Sequence, residues 1–367
     1  LMGSVRNKKH LVSFVFLLMM SLLLAACGGG KPSEQVPVSG SSEGSNAGSD
    51  AASGKEVTLD FSHFFPPSHE METVIVQGFV KEVEEATGGN VKITSYPGAS
   101  LAAPDGQFDA AATGAVDIAM SVNSYTPNQF PMTSVMELSF LSKTGEQGSK
   151  MLWQLYEEFP EFEAEYAGTV PLWLSTSDPG QIFTVGKPVK SYEDLKGMRI
   201  RSPSAETNEW LTALGATPVS MSMNETYEAL EKGVVDGTIA PWEAIEGYSL
   251  VDVIDYATVG NFYMTTFFVT MNENSWNELG EENQAAIKEL VGEKMAAKAG
   301  TNFDEVGQRA IEKAKEKGVE IYELSDDEMA EWSTFINPTV EKWIKKMEDK
   351  GLPGQAVYDR AVELGAQ

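Results

Sequence analysis

The chain has one cysteine, three histidines and, beyond residue 26, only four arginines in a length of 367 residues. One cysteine leaves no partner for an intramolecular disulfide, so stability has to come from packing. The histidines are His10, His63 and His69. They are too few to build a Ser-His-Asp or Cys-His arrangement, and the spacing of His63 and His69 matches no established zinc pattern. No glycine-rich phosphate loop is present. These absences lead us to expect no metal, no cofactor and no enzymatic activity. Positive charge is scarce: Lys and Arg total 27 against 54 Asp and Glu, a formal net charge of -27. Binding nucleic acid needs clustered Lys and Arg, so that class is excluded, as is charge-driven docking on anionic lipid. The acidity reads as a solvated surface. Long apolar runs are also missing. The longest, Leu11–Leu24, is too short to span a bilayer comfortably, so the chain is not expected to form a channel itself.

What is present starts with a targeting pattern. Arg6, Lys8 and Lys9 precede the apolar run, which ends in Leu24-Ala25-Ala26-Cys27. This resembles a bacterial lipobox, which implies a signal peptide over residues 1–26, lipidation of Cys27 and a lipid anchor at the outer face of a membrane. Residues 27–54 are rich in Gly, Ser, Pro and Ala without apolar periodicity, and read as a flexible tether.

The remainder is long enough for two compact domains with separate cores. Strands are expected at 57–61, 91–96, 117–122, 170–175, 198–202, 237–241 and 267–272. Helices are expected between them and from residue 281 onward. Asn224 is expected to cap one of these helices. Strands alternating with helices indicate an α/β fold with mainly parallel sheets.

Two of the four arginines, Arg199 and Arg201, share the strand candidate Met198–Ser202, just before Pro203-Ser204 opens a helix. Ligands of open α/β sheets bind beyond the carboxyl ends of strands, and helix N-termini present free N–H groups to anions. A guanidinium placed there could grip a carboxylate through two parallel hydrogen bonds. Period 2 puts both arginines on one face, so spacing alone leaves the choice between them open.

The segment Asp194–Pro241 (DLKGMRIRSPSAETNEWLTALGATPVSMSMNETYEALEKGVVDGTIAP) resembles the signature region of the solute-binding proteins of TRAP (tripartite ATP-independent periplasmic) transporters. The likeness continues in Glu84–Ile93, Tyr96-Pro97-Gly98 and Gly114–Ala119, in family-like order over about 200 residues. The resemblance implies a two-domain periplasmic-binding-protein type II fold with a hinge and a long domain-spanning helix. It implies a first domain of residues 55–178 plus 267–306 and a second of 179–266 plus 307–367. It also implies that Arg201 forms the salt bridge to a substrate carboxylate while Arg199 is exposed. Ala240 stands where many relatives carry Asn, Gln181 where some sugar-acid binders carry a second basic residue, and Phe64 where some carry a polar one. With Met223 and Trp242 near the cleft, and Tyr125 in the polar loop Asn123–Pro127, the implied pocket is largely apolar and aromatic. Phe64, Met223 and Trp242 could equally be core residues. Glu243 would either accept a ligand hydroxyl or, as the favoured reading, cap a helix.

The function so implied is capture of an organic acid outside the cytoplasm and delivery to TRAP membrane subunits. The alternatives are a ligand-binding module feeding a sensor kinase, or a secreted lipoprotein enzyme.

Overall fold

A computed structural model describes residues 56–367; Cys27, the signal-like segment and the stretch 27–54 lie outside the described residues. Eleven strands are formed among the described residues. The first four are β1 (Val57–His63), β2 (Val91–Tyr96), β3 (Ile118–Val122) and β4 (Thr169–Thr176). Then come β5 (Gly180–Thr184), β6 (Arg199–Ser202), β7 (Thr217–Ser220), β8 (Gly237–Pro241) and β9 (Tyr256–Tyr263). The last two are β10 (Thr266–Asn272) and β11 (Glu320–Glu323).

They make two sheets, ordered β2-β1-β3-β10-β4 and β11-β9-β5-β8-β6-β7. Helices pack on the sheets, as expected of an α/β protein, but the sheets are mixed rather than mainly parallel. β10 runs antiparallel to β3 and β4 in the first, and β5 antiparallel to β8 and β9 in the second. The reason lies in the connections. β5 enters the second sheet straight from β4, and β10 enters the first straight from β9. Each therefore arrives against the direction of the βα units already there.

The two crossing points are tied to each other. Ser177 N–H donates to the Thr265 carbonyl at 2.9 Å, and Thr265 N–H donates to Ser177 Oγ at 3.0 Å. A third connection is the 25-residue helix Glu293–Lys317. Its early residues Met295, Ala296, Ala299 and Phe303 join the core under the first sheet, and Ala310 and Ala314 join a core under the second. Gly300 lets this helix touch the start of helix Gly145–Glu158: a Cβ on Gly300 would sit 2.2 Å from the Gly145 carbonyl oxygen. The chain then returns to the first lobe. Trp343, Met347, Val357, Ala361 and Leu364 pack in the first core, although the expected second domain ran to residue 367. Val357, Ala361 and Leu364 recur at helical spacing on the last helix, Gly354–Gly365, which packs against the helix Gly145–Glu158.

Helix Met223–Glu231 is capped by Ser222 in a reciprocal box with Glu225, not by Asn224. Asn224 instead donates Nδ2–H to the Phe64 carbonyl at 3.2 Å, a bond from one lobe to the other.

Candidate functional site

The carboxyl end of β6 brings Arg201 to the boundary between the lobes. Arg199, at the start of the strand, is exposed and binds Asp236 through Nε (3.1 Å) and Nη2 (2.6 Å). Arg201 is 1 % exposed and has no carboxylate partner among the described residues. It donates Nε–H and Nη2–H to the Met221 carbonyl at 3.0 and 2.8 Å, Nη1–H to the Ile239 carbonyl at 3.3 Å, and its other Nη2–H to Tyr125 Oη at 3.0 Å. A buried charge so fully solvated by carbonyl and hydroxyl oxygens is tolerable, yet it stays formally unneutralised. Of five guanidinium donors, one Nη1–H is uncommitted, so the expected two-pronged fork is largely spent on the protein itself.

Tyr125 supplies a second donor. It stands in the first lobe, directly after β3, and its hydroxyl oxygen accepts from Arg201 and from Met223 N–H at 2.8 Å, both in the second lobe. With both lone pairs occupied, the phenolic proton has to be given away rather than shared with these partners.

Arg201 and Tyr125 line a narrow space together with Phe64, Phe65, Val122, Pro203, Met223, Pro241, Glu243, Ala244, Tyr248, Thr265 and Phe267. In this arrangement the free room among them is about that of one water molecule, well below ligand-pocket size. Phe64 stacks on Phe65 with centroids 4.3 Å apart and meets Tyr125 edge-on at 5.8 Å. Phe65 in turn packs against Phe267 at 5.7 Å. Aromatic faces and edges thus wall a cavity that holds one fixed positive charge. A wider opening of about 1040 Å³ adjoins it, sharing Tyr125 and Pro203.

The family model for bacterial extracellular solute-binding proteins, family 7, matches residues 61–346. The chain belongs to this family; it is a TRAP solute-binding protein. It is similar to a marine metagenome TRAP solute-binding protein from an unidentified microbe, specific for aromatic acid ligands and solved with metahydroxyphenylacetate. Identity is 30%, the TM-score is 0.81, and the match covers 85% of this chain and 99% of the other. It is also similar to a TRAP solute-binding protein of Rhodoferax ferrireducens solved with copurified benzoate. There identity is 26%, the TM-score 0.81 and the coverage 84% and 98%. Among sequence relatives, the C4-dicarboxylate-binding periplasmic protein DctP of Rhodobacter capsulatus is 26% identical over 304 residues, covering 79% of this chain and 87% of that one. TRAP solute-binding proteins are a periplasmic family of binding proteins rather than enzymes. The two-lobed α/β fold expected from the resemblance is the fold observed.

The remaining residues of this TRAP solute-binding protein that the sequence singled out divide between cavity and scaffold. Phe64 and Met223 line the cavity and belong to the cores at the same time. Gln181 lies on β5 away from the cavity. Its Oε1 accepts from Gly260 and Asn261 N–H at 2.9 Å each, and its Nε2 donates to the Pro179 carbonyl and Asn261 Oδ1. That side chain fills the irregular pairing between β5 and β9. Trp242 packs edge-on against Phe183 at 4.8 Å and is not part of the cavity lining. Glu243 lines the cavity and caps nothing. Asp178 fills that role for helix Trp242–Gly247, accepting from Trp242 N–H at 2.9 Å and Glu243 N–H at 3.4 Å. Burial, then the neighbouring Glu243 carboxylate, push the Asp178 carboxyl well above its ordinary range.

His63 binds Glu72 at 2.8 Å, and His69 Nδ1 accepts Met71 N–H at 3.1 Å; neither gathers with further carboxylates into a metal-sized group among the described residues.

The sequence reading overlooked Phe65, Tyr248 and Phe267. Phe65 follows β1 and Phe267 opens the strand expected at 267–272, so adjacency to Phe64 and to the β9–β10 crossing was the available signal. A second inter-lobe opening, of about 840 Å³, contains Glu137, Ser204, Glu206, Lys346 and Lys350. Burial, then Glu206, raise the Glu137 carboxyl to about 8.

Proposed function

We propose that this protein captures a monocarboxylate carrying an aromatic ring and delivers it to the membrane subunits of a TRAP transporter, held near them by a lipid on Cys27. The observation that carries this reading is the pairing of one buried guanidinium with the walls Phe64, Phe65, Met223 and Phe267 where the two lobes meet. The ligand carboxylate accepts the free Nη1–H of Arg201 and the Tyr125 O–H, and its ring lies among the phenylalanines. A dicarboxylate would leave its second charge with no basic residue in the cavity lining, and a sugar acid would leave several hydroxyls against carbon. The benzoate and metahydroxyphenylacetate bound by similar proteins have the required chemistry.

Binding closes the lobes about the Ser177 and Thr265 crossings, excluding water and strengthening the ion pair. The closed form is what docks on the membrane subunits.

A thermal-shift screen of the compact body Gly54–Gln367 against benzoates, phenylacetates, C4-dicarboxylates and sugar acids tests the reading. A ligand that binds only the folded state raises the melting temperature. Shifts confined to aromatic monocarboxylates, and lost in Arg201→Lys, are expected. Shifts with succinate or glucuronate alone would overturn the assignment.

A further inference from the structure

The cavity has a second polar group that the carboxylate does not use. Glu243 and Tyr248 reach it from helix Trp242–Gly247 and the residue that follows, an element separate from the one bearing Arg201. Glu243 is 2 % exposed, and its Oε2 lies 3.0 Å from His69 Nε2. His69 comes from the first lobe, stands behind Glu243 outside the cavity lining, and packs its ring 5.6 Å from Tyr248. Its Nδ1 accepts the Met71 N–H, so the ring proton of neutral His69 sits on Nε2 and faces Glu243. The Tyr248 hydroxyl is buried and has no hydrogen-bond partner among the described residues. Burial keeps that hydroxyl protonated. Leaving a buried donor unpaired costs about 1–3 kcal/mol, so a cavity with this hydroxyl beside a carboxylate favours a ligand group that meets both.

We propose that Glu243 and Tyr248, with His69 holding Glu243 from behind, form a hydroxyl-reading subsite, which makes a hydroxyl-bearing aromatic monocarboxylate the preferred ligand. A hydroxyl both donates and accepts. Its proton goes to the Glu243 carboxylate, and its oxygen accepts from Tyr248 O–H. A ligand ammonium would satisfy Glu243 but has no lone pair to offer the Tyr248 O–H. A bare ring edge would satisfy neither. This inference rests on the aromatic-acid reading of the same cavity and refines it.

The test is calorimetric titration of the body Gly54–Gln367 with benzoate, its three monohydroxy isomers, the corresponding methoxybenzoates, 3-hydroxyphenylacetate and phenylacetate. At least one hydroxylated acid is expected to bind about tenfold or more tightly than its unsubstituted parent and its methyl ether, because a hydrogen bond to a charged partner is gained. Glu243→Leu reduces that ratio to within twofold while the parent acid still binds. Tyr248→Phe, which keeps the ring and its packing, lowers the ratio independently should the leucine variant fold poorly. Parent and hydroxylated acids binding equally, or a preference that survives both substitutions, would overturn the subsite and leave the aromatic-acid reading standing. Failure of every aromatic acid to bind would overturn both.

Discussion

Replacing Tyr125 by Phe removes one oxygen atom from the place where the lobes meet. That oxygen accepts the Arg201 Nη2–H at 3.0 Å and the Met223 N–H at 2.8 Å, and no other residue of the first lobe accepts a hydrogen bond from Arg201. The phenyl ring keeps the edge-on contact with Phe64, so packing is conserved. Two losses follow. A hydrogen bond from a charged donor contributes about 1.5–3 kcal/mol, and a backbone N–H left buried without an acceptor costs about 1–3 kcal/mol. In an open form water satisfies both groups, so the whole loss falls on the closed form. Losing the phenolic proton as a donor to the ligand carboxylate adds to it. Taking about 2–4 kcal/mol together, affinity for an aromatic acid falls by roughly 30- to 1000-fold. The assay is calorimetric titration of wild type and Tyr125→Phe, with small-angle scattering on the same samples to follow lobe closure. An affinity within threefold of wild type, with normal closure, would refute the claim that this hydroxyl latches the lobes and feeds the ligand.

Four further outcomes follow from the structure. Glu137 titrates at about 8 in the native protein because burial, then Glu206, disfavour its charge, against an ordinary value of 4.5. Between those values the native state holds a proton the unfolded chain has released. Stability therefore falls as pH rises through the window, by about 3 kcal/mol from pH 5 to 7.5 for this group. Denaturant melts should show Glu137→Gln losing that part of the slope, and an unchanged slope would contradict the assignment. Gln181→Leu strands the Gly260 and Asn261 N–H groups and should cost about 2–4 kcal/mol of stability while leaving ligand affinity within threefold, read by melts and titration. Gly300→Val has to push helix Glu293–Lys317 off the Gly145 carbonyl and should lower the melting temperature by about 5 °C, from about 3 kcal/mol of overpacking. Cys27→Ser should move the full-length protein from the membrane to the soluble fraction of expressing cells, and continued membrane association would dismiss the lipid anchor.

Much of the fold could be read from the chain because its periodic segments are long or well bounded. β1, β2 and β3 each follow a turn signal, and β2 alternates cleanly as Val91-Lys92-Ile93-Thr94. Four strands left no such trace. β5 is five buried residues, Gly180–Thr184, with no exposed face to create alternation. β7 contains Pro218 at the sheet edge, β9 is interrupted by Gly260 and Asn261, and β11 is a four-residue edge strand with Glu at both ends.

At the site, the strand that carries Arg199 and Arg201 was legible from its run into a capped helix, and the family resemblance singled out Arg201. Its committed hydrogen bonds were not, because Met221 and Ile239 contribute backbone carbonyls, which carry no side-chain signature. Gln181 and Trp242 were placed in the cleft by analogy of position. The irregular β5–β9 pairing and the Phe183 ring claim them instead, and neither feature is visible in one dimension. Glu243 and Tyr248 gain meaning only when the fold turns them toward the same cavity as an arginine more than forty residues away in the chain.

The most direct test of the central claim is a crystal structure of Gly54–Gln367 grown with 3-hydroxybenzoate. The account predicts one carboxylate oxygen within about 2.7–3.2 Å of Arg201 Nη1, and the Tyr125 hydroxyl at similar distance, with the ring between Phe64 and Phe267. A ligand bound elsewhere, such as the opening around Glu137 and Lys346, with Arg201 unchanged, would contradict it.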